Sequence, residues 1–434
     1  MVATNFARIW LSLRCAVAKS TVWHLDKSPA LRSTREIAVL GAGIAGCTSA
    51  VALAKRGFNV TLIDRHPIAG CEASGNSQAI VYPKLSARDD LLPRINLAAM
   101  QFSSRYYQPF WAQGLGQQCG VIVVPEDDKM RQDFEIIGQR FKDQPDLVQL
   151  YDNRELRRLS GINLQAQIGL YFPKLGWLSP TDICQQLVAQ HRIPLLQADI
   201  QRVAHSDNRW HLFDADGQPC ITSETLVIAN AFDCKQFQQT EFLPVTQLRG
   251  QISHIPSNGT SSALKTVICG EGYITPQYNG QHSIGATYNK GVFTTALRPE
   301  DHQTNLEQIC ATDSGIASAI GPQNITTMTG RANYRCTTKD YLPIVGAVAN
   351  LTQLVEDYSA LRRDAKSSIA TAGSYLPNLY INCGMGSRGL SYAPLSAEIL
   401  ATELAGDTPI LDEDLRLALH PTRFIIRDLK KKRL

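Results

Sequence analysis

The sequence lacks several features that would assign its class directly. No Cys-x-x-Cys pair occurs, and none of the eleven cysteines stands near histidines at metal-ligand spacing. The cysteines are scattered singly from Cys15 to Cys383, an odd number without pattern. That argues against a disulfide framework and for reduced thiols in a cytoplasmic protein, with no structural metal. No window approaches the ~20 apolar residues of a membrane-spanning helix, so no membrane is expected. There is no internal repeat and no low-complexity segment. Charged residues make up only 19% and the net charge is +4, too little to argue by itself for a polyanionic partner.

What is present is an ordinary globular composition, 44% hydrophobic over 434 residues. That length holds two or three domains, or one large α/β enzyme with an inserted lobe. Residues 1–35 stand apart. Arg8, Arg14 and Lys19 occur with no acidic residue before Asp26, a composition similar to an organelle transit peptide. A linker or the remnant of a preceding domain is the simpler expectation. At the other end, "RDLKKKRL" packs Arg427, Lys430, Lys431, Lys432 and Arg433 together. Such a run reads as a solvated basic tail over 421–434, or less often as a phosphate contact.

The first chemical motif is "EIAVLGAGIAGCTSAVALAKRGFNVTLID" from Glu36. Ile37 to Leu40 reads as a buried strand, Ile44 to Ala54 as a helix, and Asn59 to Asp64 as a second strand. Gly41, Gly43 and Gly46 give the spacing of a dinucleotide turn. Gly41 permits the tight turn, Gly43 lets the backbone approach a pyrophosphate, and Gly46 lets helix and strand pack closely. Ala42, Ile44 and Ala45 complete the turn at a helix N-terminus that favours phosphate. Asp64, followed by Arg65, ends the second strand 23 positions after Gly41, where a carboxylate can accept from a ribose. The bland alternative is a glycine turn that serves packing alone.

A second glycine-rich turn decides between cofactors. "LYINCGMGSRGLSYAPLSAEILATELAG" reads as a strand, a turn at Gly384, Gly386 and Gly389, and a helix from Ala393 to Leu404. Gly384, Gly386, Ser387, Arg388, Gly389 and Leu390 would aim N–H donors at the edge of a flavin ring, where charge gathers on reduction. FAD is therefore expected rather than NAD. "TLVIANAFD" supplies another buried strand, with Asn230 at its end.

With these motifs in place, "CEASGNSQAIVYPKLS", "YFPKLGWLSP", "LRGQISHIP", "GYITP", "YRCTTKDYLPIVG" and "GMGSRGLSYAPLSAEILA" resemble the D-amino-acid-oxidase-like (DAO) amine oxidases. Within them, the chain is most similar to the FAD-dependent half of the bifunctional tRNA wobble-uridine enzymes of the MnmC family. The resemblance covers most of Trp23 to Arg433. It implies an α/β chain: a Rossmann-like FAD-binding domain of the GR2/DAO type with a discontinuous α+β substrate-binding lobe. Residues 36–85, 178–245 and 335–420 would form the FAD domain, and 86–177 with 246–334 the substrate lobe. Two departures stand out. Residues 1–35 leave no room for the methyltransferase domain of the fused proteins, so methylation is expected from a separate enzyme. Asp64 also holds a position the family does not always keep acidic.

The implied reaction removes a carboxymethyl group as glyoxylate from 5-carboxymethylaminomethyl-(2-thio)uridine at the tRNA wobble position. The resemblance places Arg335 on the substrate carboxylate, because a guanidinium fork binds a carboxylate bidentately. Pairing with Asp340 and a plain surface arginine are the alternatives. Arg331, expected on a neighbouring strand or turn, is a second clamp. Ser74, Gly75, Asn76, Gln78 and Ala79 would ride over the flavin pyrophosphate. Tyr82 would wall the cavity and Lys84 would hold a water beside the flavin or face solvent. Gln251, Tyr273 and Arg388 are candidate substrate contacts. His254 reads as a hydrogen-bonded structural histidine. No recognised RNA-binding module is visible, so tRNA rests on the resemblance alone. A small-molecule amine or amino-acid oxidase of the glycine/sarcosine oxidase type is the alternative. A flavin-bound partner without catalysis is a third reading.

Overall fold

The computed structural model describes residues 36–434. The expectations for residues 1–35 lie outside the described residues.

Six strands form the first sheet, in the order Ile344–Ala349, Tyr375–Cys383, Thr225–Ile228, Glu36–Leu40, Asn59–Asp64 and Leu195–Gln197. All neighbours are parallel except the first pair, which is antiparallel. Glu36–Leu40 and Thr225–Ile228 are almost wholly buried. That burial explains their unbroken apolar runs, since a parallel sheet is covered on both faces. The helix Ile44–Ala54 packs on Gly389–Ala405 and on Pro180–Gln190. Ser179 caps the latter, its hydroxyl accepting from the Asp182 N–H, and Pro180 fills the first helical position.

The second sheet has eight strands. In order they are Thr329–Thr338, Val245–Pro256, Gln281–Gly285, Tyr273–Ile274, Val267–Cys269, Val121–Val123, Ile168–Phe172 and Gln149–Asp152. One parallel pair, Val267–Cys269 with Val121–Val123, interrupts an otherwise antiparallel order. The helix Pro299–Thr312 lies against Val245–Pro256 and Gln281–Gly285. A smaller meander, Arg202–Ser206, Arg209–Phe213 and Pro219–Ser223, stands on the first sheet's side. Its tight turn uses Asp207 and Asn208 at φ +52° and +59°, the residue types that tolerate that region.

Several expectations change here. "RCTT" is not a turn: Cys336, Thr337 and Thr338 continue one strand from Thr329, as a run rich in β-branched residues favours. Arg331 is therefore on the same strand as Arg335, and that strand belongs to the second sheet rather than to a flavin segment starting at 335. The basic C-terminal stretch is not a solvated tail. Thr422–Lys430 is a helix that buries Phe424, Ile425, Ile426 and Leu429, leaving only Lys431 to Leu434 exposed.

Candidate active site

The two sheets meet around a cavity of about 1320 Å3. It opens past Leu40, Asp64, Ala229 and Cys383, at the C-terminal ends of the parallel strands, where α/β sheets bind ligands. Gly41 has φ +106°, and a Cβ on it would fall 2.6 Å from the Ala229 carbonyl oxygen. Gly46 does not line the cavity. A Cβ there would lie 2.9 Å from the Gly41 carbonyl carbon, so Gly46 serves the close contact of helix and turn. Ala42 is likewise buried behind the cavity surface. Gly43, Ile44 and Ala45 face it.

The Asp64 carboxylate braces the turn. Its Oδ2 accepts from the Ala42 N–H at 2.6 Å and its Oδ1 from the His66 N–H at 2.9 Å. A carboxylate has about four acceptor sites, so two remain at the cavity wall for a ribose. Arg65, also on the wall, pairs with Asp233 and stands 3.8 Å from Asp199.

The second turn faces the first. Gly384 and Gly386 take φ +76° and +57°, and the Gly386 N–H donates to the Cys336 carbonyl at 2.8 Å. The helix begins at Gly389, four residues before the expected Ala393, with Pro394 inside it. In neither this helix nor Ile44–Ala54 does the residue at the N-cap supply a side-chain cap, and both N-termini border the cavity. The two N-termini direct backbone donors and positive dipole ends at one space. Asn230 contributes a buried Oδ1 without a partner on the same wall. Ser74 Oγ accepts from the Ile44 N–H at 3.0 Å, tying the 71–80 loop to the first turn. Asn76, Ala79, Ser387 and Leu390 complete this side. A dinucleotide with an electron-poor ring system fits these donors, and these residues would hold FAD.

Gln78 and Gly75 do not belong to this wall. Gln78 is buried, with Oε1 accepting from Thr275 and Ser283 hydroxyls at 3.0 Å each and Nε2 donating to the Pro276 carbonyl at 3.0 Å. It fastens the flavin-side loop to the second sheet. Gly75 lies under Arg331: a Cβ there would fall 2.7 Å from Nε. Arg331 in turn donates to the Cys71 carbonyl, and its Nη1 is buried without a partner. Burial pushes that guanidinium down, and Glu72 and Cys71 only partly offset it. Arg331 thus braces the 71–75 loop and keeps one unpartnered donor at the cavity wall.

The second sheet supplies the opposite wall with Tyr273, Tyr334 and Arg335, joined by Tyr288 just beyond the strand Gln281–Gly285. Arg335 Nη1 donates to the Thr287 carbonyl at 2.9 Å, and its guanidinium carbon lies 4.6 Å from the Tyr288 ring centroid. It is not the partner of Asp340. Asp340 accepts from Arg423 at 3.0 and 3.1 Å and stands 3.6 Å from Arg427. Arg388 reaches Tyr392 Oη at 3.2 Å and lies 5.9 Å from the Tyr82 ring. Burial raises the Tyr82 and Tyr273 phenols well above their ordinary value, so both are neutral walls at pH 7.

Lys84, Gln251 and His254 lie outside the cavity, as was expected of His254 and of Lys84 if it faces solvent. Lys84 is exposed and outside the cavity. Gln251 is buried on the far face of its strand. Its Oε1 accepts from Arg249 at 3.0 Å and from the Arg298 N–H at 2.9 Å, and its Nε2 donates to the Arg298 carbonyl at 3.0 Å. His254 is outside the cavity too, and its Nε2 has no partner, so it is structural but not fully hydrogen-bonded.

Tyr288, Tyr341 and Gly250 were not singled out from sequence. Gly250 had a signal: a glycine inside an alternating strand often marks a close approach.

The sequence matches the FAD dependent oxidoreductase (DAO) family over residues 36–403, and the chain belongs to that family. It is an FAD-dependent oxidoreductase by fold and family. Among curated relatives it is similar to the tRNA 5-methylaminomethyl-2-thiouridine biosynthesis bifunctional protein MnmC. With that of Pseudomonas aeruginosa strain UCBPP-PA14 it shares 37% identity over 410 residues, 94% of this chain and 62% of the relative. With that of Chromobacterium violaceum it shares 34%, over 98% of this chain and 64% of the relative. The chain thus spans about three-fifths of the length of the relatives it matches. In fold it is similar to glycine oxidase from Geobacillus kaustophilus, with a TM-score of 0.68 and 18% identity over 90% of this chain and 99% of that one. L-Proline dehydrogenase from P. horikoshii gives a TM-score of 0.69 at 17% identity, over 90% and 98%. Among the described residues, no helix is long and apolar enough to cross a membrane.

Proposed function

We propose that the chain oxidises the secondary amine of 5-carboxymethylaminomethyl-(2-thio)uridine at the tRNA wobble position. The products are glyoxylate and 5-aminomethyl-(2-thio)uridine. The observation that supports this most is Arg335. Its guanidinium lies in the cavity that both glycine turns border, and it holds no carboxylate among the described residues. The likeness to tRNA 5-methylaminomethyl-2-thiouridine biosynthesis proteins points to the substrate class.

In this reading Arg335 takes the carboxylate of the departing group through two parallel hydrogen bonds, fixing distance and plane together. The Tyr288 ring beneath it and the Thr287 carbonyl limit its rotamers, so little freedom is lost on binding. Tyr82 and Tyr273 keep water from the amine side as neutral walls. A bound FAD would supply the hydride acceptor for the methylene carbon. The amine loses its proton, a C=N bond forms, water adds across it, and the C–N bond breaks to release glyoxylate. No strong base is required, and positioning by Arg335 supplies most of the effect. Asp64, Asn230, Ser74 and the two helix N-termini hold the cofactor. Arg331 offers its remaining donor to an anionic group between cofactor and substrate. The substrate implies a cytoplasmic enzyme.

Mass spectrometry of wobble nucleosides from a strain lacking the gene tests the reading. Accumulation of 5-carboxymethylaminomethyl-(2-thio)uridine is expected, and an unchanged nucleoside profile contradicts it. An oxidase of free glycine-type amines would use the same arginine and would not depend on RNA.

A further inference from the structure

The C-terminal cations take no part in the cavity, yet they are tied to its rim. The helix Thr422–Lys430 buries its apolar face, partly against the short turn Ser359–Arg362. Lys431, Lys432 and Arg433 follow it, all exposed. Beside them stand exposed Arg362 and Arg363, and Arg362 Nε donates to the main-chain oxygen of Leu434 at 2.6 Å. Two basic stretches are thereby fixed side by side. Asp428 lies 3.8 Å from Arg433 and offsets only part of that charge.

Asp340 connects this shoulder to the cavity. It binds Arg423 and stands near Arg427 of the same helix. The next residue, Tyr341, lines the cavity with 69% of its surface exposed and φ at +60°. A left-handed backbone at a bulky residue is costly and needs support. The Asp340 ion pairs and the Tyr341 N–H bond to the Thr338 carbonyl supply it. Tyr288, 60% exposed, lines the same cavity.

We propose that this rim and shoulder form one RNA-binding surface. The Tyr341 ring stacks an unpaired base beside the reacting nucleotide, and Lys431, Lys432, Arg433 and Arg363 take backbone phosphates. Base–aromatic stacking is sequence-tolerant, and phosphate contacts are ionic, as a single-stranded loop requires. An anionic bilayer or an acidic protein would match the cations but leaves the strained, exposed ring at the cavity rim without a role. The inference rests on the proposed tRNA reaction.

The test uses the full-length FAD-loaded enzyme and two probes: an anticodon stem–loop carrying 5-carboxymethylaminomethyluridine, and the free nucleoside. The triple variant Lys431→Gln, Lys432→Gln, Arg433→Gln should raise KM for the stem–loop about tenfold. It should also lower the slope of log KM against log salt by about 2, at roughly 0.7 per phosphate lost. Its kcat on the stem–loop and its flavin reduction by the free nucleoside should not change. Tyr341→Ala should raise KM about tenfold with the salt slope unmoved, and Tyr341→Phe should restore it. Unchanged KM and slope in the triple variant overturn the proposal while the reaction stands. So does a parallel loss on the free nucleoside, or pelleting on phosphatidylserine vesicles with the RNA parameters unmoved. A wild-type flavin that neither probe reduces overturns the reaction and this inference together.

Discussion

Gly250 leaves open the space that the Arg335 guanidinium occupies: a Cβ at Gly250 would fall 2.5 Å from Arg335 Nη2. The two residues lie on adjacent strands of the second sheet, where Leu248 is directly opposite Arg335. Arg335 therefore lies across its neighbour's backbone instead of projecting beside it. The obstructing atoms are the far end of a flexible side chain, so Gly250→Ala should displace the guanidinium without breaking the sheet. The expected result is retained FAD, a thermal midpoint close to wild type, and a fall in kcat/KM of about tenfold or more. A Gly250→Ala enzyme with wild-type kinetics would show that the position of Arg335 does not matter.

Removing the guanidinium itself is the stronger version. Hydrogen bonds to charged groups contribute about 1.5–3 kcal/mol, so Arg335→Ala should lose roughly 100-fold in kcat/KM on the carboxylate-bearing substrate. The flavin absorbance of the purified protein should be unaltered. Arg335→Lys should recover only part, since an ammonium cannot form the planar fork.

How much of this was visible in the sequence depends on the kind of constraint. The dinucleotide turn was legible because two of its glycines meet hard contacts, Gly41 with the Ala229 backbone and Gly46 with Gly41, while Gly43 leaves the cavity side open. Those contacts impose a fixed spacing. Gln78 and Gln251 were misplaced because motif position does not say which face of a strand or loop a side chain takes. Both turn away from the cavity into hydrogen-bond networks made by residues far along the chain, Thr275 and Ser283 for one and Arg298 for the other. The partnership of Arg249 with Asp301, 2.5 Å apart and fully buried, was also invisible. Arginine is seldom buried, and only the tertiary fold brings its acceptor to it. The early start of the helix Gly389–Ala405 was hidden by glycines and serine that read as loop.

Gly46→Ala tests the packing role assigned to that glycine. A Cβ there collides with backbone rather than with a mobile side chain, so relief must come from the turn itself. The variant should purify largely without FAD and unfold at a lower temperature. Yellow, fully loaded protein from Gly46→Ala would remove the argument.

Asp340 holds the rim loop to the C-terminal helix, and its acidity follows. Burial alone would raise its carboxyl, but the hydrogen bonds and charge of Arg423 outweigh that and leave it below its ordinary value. A carboxyl lowered in the folded state stabilises at neutral pH and loses that contribution as pH falls through its folded value. Asp340→Asn should therefore destabilise by about 2 kcal/mol at pH 7, because it strands a largely buried guanidinium. The difference from wild type should shrink in acid. A constant difference from pH 7 to pH 3 would contradict the ion-pair account.

Glu403 has the opposite sign. Burial raises its carboxyl to about 7, against the favourable charge of Arg416. Between about 4.5 and 7 the folded state then binds more protons than the unfolded one, so this group's contribution falls as pH rises. Each unit of that rise is worth about 1.4 kcal/mol. Denaturant unfolding of Glu403→Gln should show a weaker decline across that window than wild type, and identical profiles would count against it.

The most direct measurement of the central claim is anaerobic reduction of the enzyme's flavin, followed by its absorbance near 450 nm, which is about where oxidised flavins absorb. Transfer RNA bearing 5-carboxymethylaminomethyluridine should bleach the flavin and release glyoxylate in equal amount, whereas free glycine and sarcosine should not at comparable concentration. Bleaching by the free amines with none by the tRNA would contradict the account.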